Sequence, residues 1–189
     1  MIRKFLPFLI AVFLFVIPNA ASSQYYFGAG PVYLKPLGDM ADINKAPIGV
    51  NLQIENRGWC RLWYGLRLDY YSFDPADELD PATDYFESAL YISPGIRYNF
   101  LGSACRSYNW VPYGQALLNI SSIGGTDEES RFGLGASAGA GIAYAFTLFD
   151  RCWMIDLNAL YSAPNAIARA EDRDMIQSLN VGLTLSIRL

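Results

Sequence analysis

Hydrophobic residues recur at every second position over most of the chain from residue 24 onward. Successive side chains of a β-strand point to opposite faces, so this period of two predicts strands that have one apolar face and one polar face. The last segment is the clearest case, with apolar Leu179, Val181, Leu183, Leu185, Ile187 and Leu189 alternating with Ser178, Asn180, Gly182, Thr184, Ser186 and Arg188. The same reading predicts eight strands, over residues 24–35, 46–56, 60–73, 88–100, 109–121, 131–148, 152–163 and 176–189.

The stretch from Phe132 to Phe149 has an alternative interpretation as a transmembrane helix. It contains 18 residues without a charge and includes a GxxxG pattern from Gly135 to Gly139, which is typical of packed membrane helices. However, its apolar residues keep to one parity, and each glycine weakens a helix by about 1 kcal/mol relative to alanine. We therefore predict a strand.

The connections between the predicted strands alternate in length. Residues 57–59 and 149–151 form tight turns and 101–108 a medium one, whereas 36–45, 74–87, 122–130 and 164–175 are longer and carry most of the acidic residues. An even number of strands, with short turns at one rim and long loops at the other, is typical of bacterial outer-membrane barrels. The sequence thus predicts an all-β fold with one domain, an eight-stranded antiparallel up-and-down transmembrane β-barrel over residues 24–189.

Alternation alone does not tell which face of the barrel meets the solvent. The alternative is a soluble periplasmic or secreted lipocalin-like barrel, with its apolar face turned inward around a small apolar ligand. A soluble barrel needs a hydrated exterior, but the chain has only three lysines and its polar face is rich in glycine, serine and alanine. We therefore place the apolar face toward lipid and expect an ion network in the lumen, formed by Glu55, Arg67, Asp69, Arg97, Asp156 and Arg188.

Residues 1–23 have the order of a secretory signal peptide. Arg3 and Lys4 precede an apolar run from Phe5 to Ile17, and Pro18 and small residues follow. The run is short of the roughly 20 residues that a membrane-spanning helix needs. We expect cleavage of residues 1–23, which changes the net charge from −4 to −6, and export to the outer membrane of a Gram-negative cell.

The chain resembles the OmpA/OmpX-like small outer-membrane β-barrel proteins over roughly residues 24–189. Its C-terminal strand is similar to the assembly signal of that family at Asn180, Gly182, Leu185 and Ile187, although Leu189 stands where such proteins usually end in Phe or Trp. The resemblance implies a monomer surrounded by outer-membrane lipid and lipopolysaccharide, inserted by the barrel-assembly machinery. The resemblance implies little about activity. Our own expectation is a structural or adhesive role, with an extracellular partner binding through loops 36–45, 74–87, 122–130 and 164–175.

The absence of histidine removes most catalytic schemes. It excludes Ser-His and Cys-His nucleophiles and His-ligated metals, and the enzymes known on small barrels rely, as the resemblance implies, on a histidine. We therefore expect no catalysis and no cofactor. With Lys+Arg 14 against Asp+Glu 18, there is also no basic footprint for nucleic acid.

Two weaker chemical features stay open. The connection 74–87 holds enough carboxylates for a Ca²⁺ ion, without the spacing of an EF-hand: Asp74, Asp77, Glu78, Asp80, Asp84 and Glu87. Cys60, Cys105 and Cys152 all lie at the short-turn rim, where the oxidising periplasm permits a disulfide, with Cys105 the favoured participant, or three inert side chains at an interface.

An eight-stranded barrel has an interior that side chains can fill. We expect a closed lumen, plugged by Trp63, Arg67, Tyr71, Tyr91, Arg97 and Tyr113. Pro94 and Pro112 each remove a ladder donor, so we expect a bulge or a strand end at both.

Overall fold

The computed structural model describes residues 24–58, 61–77, 85–101, 109–125, 131–168 and 176–189. They form one closed barrel in which each strand is antiparallel to its sequence neighbours and β1 pairs with β8. The strands are β1 (Gln24–Leu37), β2 (Ile48–Arg57), β3 (Leu62–Ser72), β4 (Phe86–Asn99), β5 (Trp110–Gly125), β6 (Arg131–Leu148), β7 (Arg151–Ala168) and β8 (Gln177–Arg188). The predicted fold class, and the strand over residues 131–148 in place of a helix, are confirmed.

The apolar parity of each strand faces outward. Ile48 is 74% exposed and Leu157 is 50% exposed, although both belong to regular strand segments. Small or polar residues of the opposite parity, such as Asn51, Ser121 and Asn158, are buried in the lumen. The exterior wall is therefore apolar, as expected for a barrel that lipid surrounds, and the polar residues of the strands face the interior.

The two strand prolines, Pro94 and Pro112, differ in how they affect their strands. Pro112 is the third residue of β5, close to the strand end, as expected. The expected bulge at Pro94 is wrong, because the β4–β5 register is the same at Ile92 and at Gly95. Pro94 keeps its pairing with Leu66 of β3. The backbone N–H that proline lacks would have pointed toward β5, so only that side of the ladder loses a hydrogen bond, and β4 needs no extra residue. The register shifts lie elsewhere, near Phe86 in β4 and opposite Leu134 of β6.

A short helix, α1 (Asp39–Ile43), interrupts the first long connection. Gly38 precedes it with a φ of 59°, a left-handed conformation that glycine adopts without strain. The helix places Met40 in a buried position. Its signal in the sequence is the pair Met40 and Ile43, three residues apart, which is too short a pattern to predict a helix. Among the described residues, no helix is long and apolar enough to span a membrane.

Two apolar clusters occupy the lumen, one toward each rim. The short-turn cluster consists of Tyr26, Trp63, Val111, Tyr113, Ala143, Ala145, Cys152 and Met154. The long-loop cluster consists of Val32, Leu34, Met40, Tyr71, Phe73, Ala89, Tyr91, Ile123 and Ile176. Polar side chains lie between them, so the interior has three layers and the polar layer is shielded from both ends.

Candidate functional site: the polar layer of the lumen

Arg97 is the centre of the polar layer. It is 3% exposed, and its Nη1 lies 2.8 Å from Asp156 Oδ2 and 3.2 Å from Glu55 Oε2. Its guanidinium carbon is 3.6 Å from the ring centroid of Tyr113 and 5.1 Å from that of Trp63. One arginine thus joins β2, β5 and β7 and connects the polar layer to the short-turn cluster, through ion pairs and cation–π contacts.

Glycines in β6 make room for this stack. A Cβ on Gly141 would overlap the ring of Tyr113, so any larger residue would push the ring off the Arg97 guanidinium. The Tyr113 hydroxyl donates to Asp156 Oδ1. The small-residue face of β6 therefore accommodates the aromatic ring that covers the buried ion pair.

Arg67 and Asp69 form the second ion pair. Arg67 Nε donates to both carboxylate oxygens of Asp69, at 3.0 and 2.8 Å, and both residues are buried. Asn51 Nδ2 also donates to Asp69, at 2.8 Å, and Arg67 Nη1 donates to Asn158 Oδ1 at 3.0 Å. Asn158 in turn donates to Asp156 at 3.3 Å. This amide links the two ion pairs into one network.

A third part of the layer contains no charge. Asn119 accepts from Ser93 at 2.9 Å and donates to Ser137 at 2.5 Å and Ser162 at 3.1 Å. Each hydroxyl in this group contacts an amide or another hydroxyl, and among the described residues no carboxylate lies within hydrogen-bond distance of it. The sequence singled out none of these side chains except as members of the polar face, because amide and hydroxyl residues at that parity carry no further signal.

The structure brings together five of the six residues predicted for the lumen network. Glu55, Arg97 and Asp156 form one group, and Arg67 and Asp69 form the other. Arg188 is not part of it. As the final residue of β8 it is half-buried at the short-turn rim, beyond the layer where the two pairs lie. The two ion-paired groups therefore contain two arginines and three carboxylates.

The residues expected to plug the lumen lie in the interior. Trp63, Tyr71, Tyr91 and Tyr113 are buried in the two apolar clusters, and Arg67 and Arg97 in the polar layer. A small gap of about 20 Å³ borders Glu55 and Arg97 at the paired Gly65 and Gly95, and its lining includes the outward-facing Ile96 of the barrel wall.

The long loops contact one another above the long-loop cluster. Asn44 pairs with Pro75, and its side-chain amide donates to the carbonyl of Phe86 at 2.8 Å. The amino group of Lys45 lies 2.5 Å from Asp77 Oδ1, and this hydrogen bond, together with the negative charge of Asp77, raises the pKa of Lys45. The first two long loops therefore form one surface.

The candidate calcium ligands are only partly described. Asp74, Asp77 and Glu87 lie in or beside the second long loop, and Asp77 is paired with Lys45. Glu78, Asp80 and Asp84 lie outside the described residues. Within the described part of the chain, no three acidic or cysteine side chains are grouped so that they could hold a metal ion.

Cys152 is disulfide-bonded. The hydroxyl of Tyr26 lies 3.8 Å from its sulfur, inside the short-turn cluster. Cys60 and Cys105 lie outside the described residues, so the involvement of Cys105 stays a prediction. At the other end of the chain, the expected assembly residues Asn180 and Gly182 face the lumen from β8, Leu185 is exposed on its outer face, and Leu189 is exposed directly after the strand.

The sequence matches no protein-family model and no curated protein. Solved structures share its fold. Neisserial surface protein A is 15% identical with a TM-score of 0.58, and the match covers 89% of this chain and 98% of that one. Ail of Yersinia pestis, in complex with the heparin analogue sucrose octasulfate, is 13% identical with a TM-score of 0.56, covering 89% and 99%. OprG of Pseudomonas aeruginosa, an outer membrane protein, is 11% identical with a TM-score of 0.62, covering 89% and 96%.

The chain therefore has the fold of the small eight-stranded outer-membrane β-barrels. The likeness that the sequence suggested to OmpA/OmpX-like barrels is confirmed at the level of the fold. At such low identity the likeness is one of architecture alone.

Proposed function

We propose that the chain is an integral outer-membrane protein of a Gram-negative cell that presents its long loops at the surface, in a structural or adhesive role. The observation that carries the proposal is the arrangement of the barrel wall: an apolar exterior surrounds a filled lumen that contains a buried, ion-paired polar layer. A soluble lipocalin-like barrel needs the opposite arrangement, with an apolar cavity inside. The signal peptide over residues 1–23, which lies outside the described residues, supports export.

Fractionation of cells that express the full chain tests this proposal. We expect the protein to stay in the membrane after a carbonate wash, because its exposed wall is apolar. We also expect faster gel migration before boiling than after it, since a closed barrel resists detergent until it is heated. Release by carbonate, together with a single gel position, would support the soluble barrel instead.

The proposed surface partner is cationic, or is bridged by divalent ions. All acidic residues of the chain except Glu55, Asp69, Asp150 and Asp156 lie in the four long connections. Like charges repel, so a polyanion such as lipopolysaccharide requires divalent cations between it and these loops. For the same reason we do not extend to this chain the heparin-analogue binding of Ail.

The proposed protein has a closed lumen and no catalytic activity. We expect no stable ohmic conductance from the full chain in planar bilayers, because side chains from both apolar clusters fill the lumen. The Trp63→Ala variant lacks the largest fully buried side chain of the lumen. It is the comparison in which a conducting path should open most easily. Stable conductance in the unsubstituted protein would contradict the closed lumen, and acyl-chain loss from lipid A would contradict the absence of catalysis.

Insertion by the barrel-assembly machinery is part of the same proposal. Leu185 on the outer face of β8 and Leu189 directly after the strand are both exposed, where a recognising protein can reach them. Leu189 stands in place of the usual final aromatic residue, so the Leu189→Phe variant is the natural comparison for assembly rate.

A further inference from the structure

Charged residues are divided between the two rims of the barrel. Acidic residues dominate the long loops, whereas the short-turn rim carries Arg57, Arg61, Arg151 and Arg188. Asp150 is the one acidic side chain at this rim among the described residues. The chain as a whole has a net charge of −4, so the charge of this rim is opposite in sign to the net charge of the protein.

These arginines have no carboxylate partner. Within the described part of the chain, none of the four lies in a salt bridge, whereas Lys45 at the opposite rim is paired with Asp77. Arg61 and Arg151 are exposed. Arg57 is half-buried at the lumen mouth and donates to Gln24 Oε1 at 3.4 Å. The positive charges of Arg61 and Arg151 are therefore available to an anion from outside the chain.

Aromatic side chains mark the level of this rim. Tyr98 contacts Phe100 at a centroid distance of 5.9 Å, and Trp110 contacts Tyr144 at 4.7 Å. Beyond them, Phe149 is 85% exposed in a turn where its φ is 52°, a conformation that non-glycine residues seldom adopt. Aromatic girdles of barrels lie at the headgroup level of the bilayer, so the neighbouring arginines lie there too.

We propose that the short-turn rim binds the phosphate headgroups of anionic phospholipids, with Arg61 and Arg151 as the principal contacts. The inference rests on the proposed function, which places this rim in the inner leaflet of the outer membrane. A guanidinium presents paired donors that match two phosphate oxygens, and it is more weakly hydrated than an ammonium. The aromatic girdle favours a lipid over a soluble anion, because it fixes these arginines at the depth of the headgroups.

The test compares lipid selectivity in vesicles that contain the full chain. Spin-labelled phosphatidylglycerol and phosphatidylcholine report which lipid is held at the barrel surface. We expect the protein to prefer phosphatidylglycerol, by about fivefold for each contributing arginine, although its net negative charge alone would favour phosphatidylcholine. Added salt should weaken the preference, because the Debye length shortens.

Matched double variants locate the effect. We expect Arg61→Gln/Arg151→Gln to bring the preference close to one, and Lys35→Gln/Lys45→Gln to leave it unchanged, since these two exposed lysines belong to the opposite rim. Equal binding of both lipids by the unsubstituted protein would overturn the inference. An equal loss in the two variants would also overturn it, because overall charge would then explain the preference.

Gel migration of the same samples separates the two hypotheses. A heat-dependent shift without lipid selectivity contradicts the rim site alone. The absence of both the shift and carbonate resistance contradicts the proposed membrane barrel, and the rim site with it.

Discussion

Replacement of Arg97 by methionine is expected to lower the free energy of unfolding by about 3–5 kcal/mol. The substitution leaves Asp156 and Glu55 buried without their cation, which lies 2.8 and 3.2 Å from them in the structure. It also removes the guanidinium that stacks on Tyr113. The measurement is urea unfolding of the barrel in micelles, followed by tryptophan fluorescence and by the gel shift.

Two comparisons make the Arg97 prediction specific. The triple variant Arg97→Met/Glu55→Gln/Asp156→Asn should recover much of the loss, because an uncharged layer no longer contains an unpaired buried charge. Lys45→Met breaks an exposed, solvent-screened ion pair and should leave the free energy of unfolding nearly unchanged. A loss at Arg97 as small as that at Lys45 would show that the polar layer contributes little to stability.

The Gly30→Ala substitution is expected to destabilise closure of the barrel, by about 1–3 kcal/mol or more. Gly30 lies in β1 opposite β8, and the β1–β8 ladder lacks pairs between Ala29 and Val32. A Cβ at this position would lie 2.9 Å from the carbonyl carbon of Leu183 and 2.9 Å from Cα of Thr184. Since these are backbone atoms, the strands themselves must separate. The readout is the fraction of heat-modifiable barrel and its urea midpoint.

Gly114→Ala is the matched control for Gly30→Ala, which acts at the seam where β1 pairs with β8. A Cβ there would be 3.5 Å from Phe100 Cζ and 3.8 Å from the Gly139 carbonyl oxygen, which are ordinary contacts. We expect unchanged or slightly higher stability, because alanine loses less conformational freedom than glycine on folding. Equal effects of the two alanines would show that close approach at the seam is not what requires Gly30.

Most residues of the polar layer could be predicted from the sequence, but the contacts between them could not. The parity of Glu55, Arg67, Asp69, Arg97 and Asp156 places them on the inner face by local alternation alone. Nothing local indicates that Arg97 of β4 meets Asp156 of β7, three strands away, or that Asn158 links the two ion pairs. Such contacts depend on the tilt and stagger of the strands around the barrel.

The positions of Arg188, Pro94 and Met40 also depend on features that the alternation of residues does not contain. Arg188 shares the inner parity, yet the end of β8 leaves it at the rim, because parity fixes the face of a residue and not its depth. Pro94 was expected to disturb its strand, but its missing donor falls on one side only and the register continues. The burial of Met40 also depends on how far α1 leans over the lumen, which a five-residue segment does not encode in its periodicity.

The sequence by itself determined the eight strands, the lipid-facing parity and the acidic character of the long loops, since each of these depends on neighbouring residues in the chain. The tertiary structure decided the three-layered filling of the lumen, the partners of the buried arginines and the isolation of a positive rim opposite the acidic loops. Those features require residues from distant strands to meet at one depth, and only closure of β1 on β8 sets that depth.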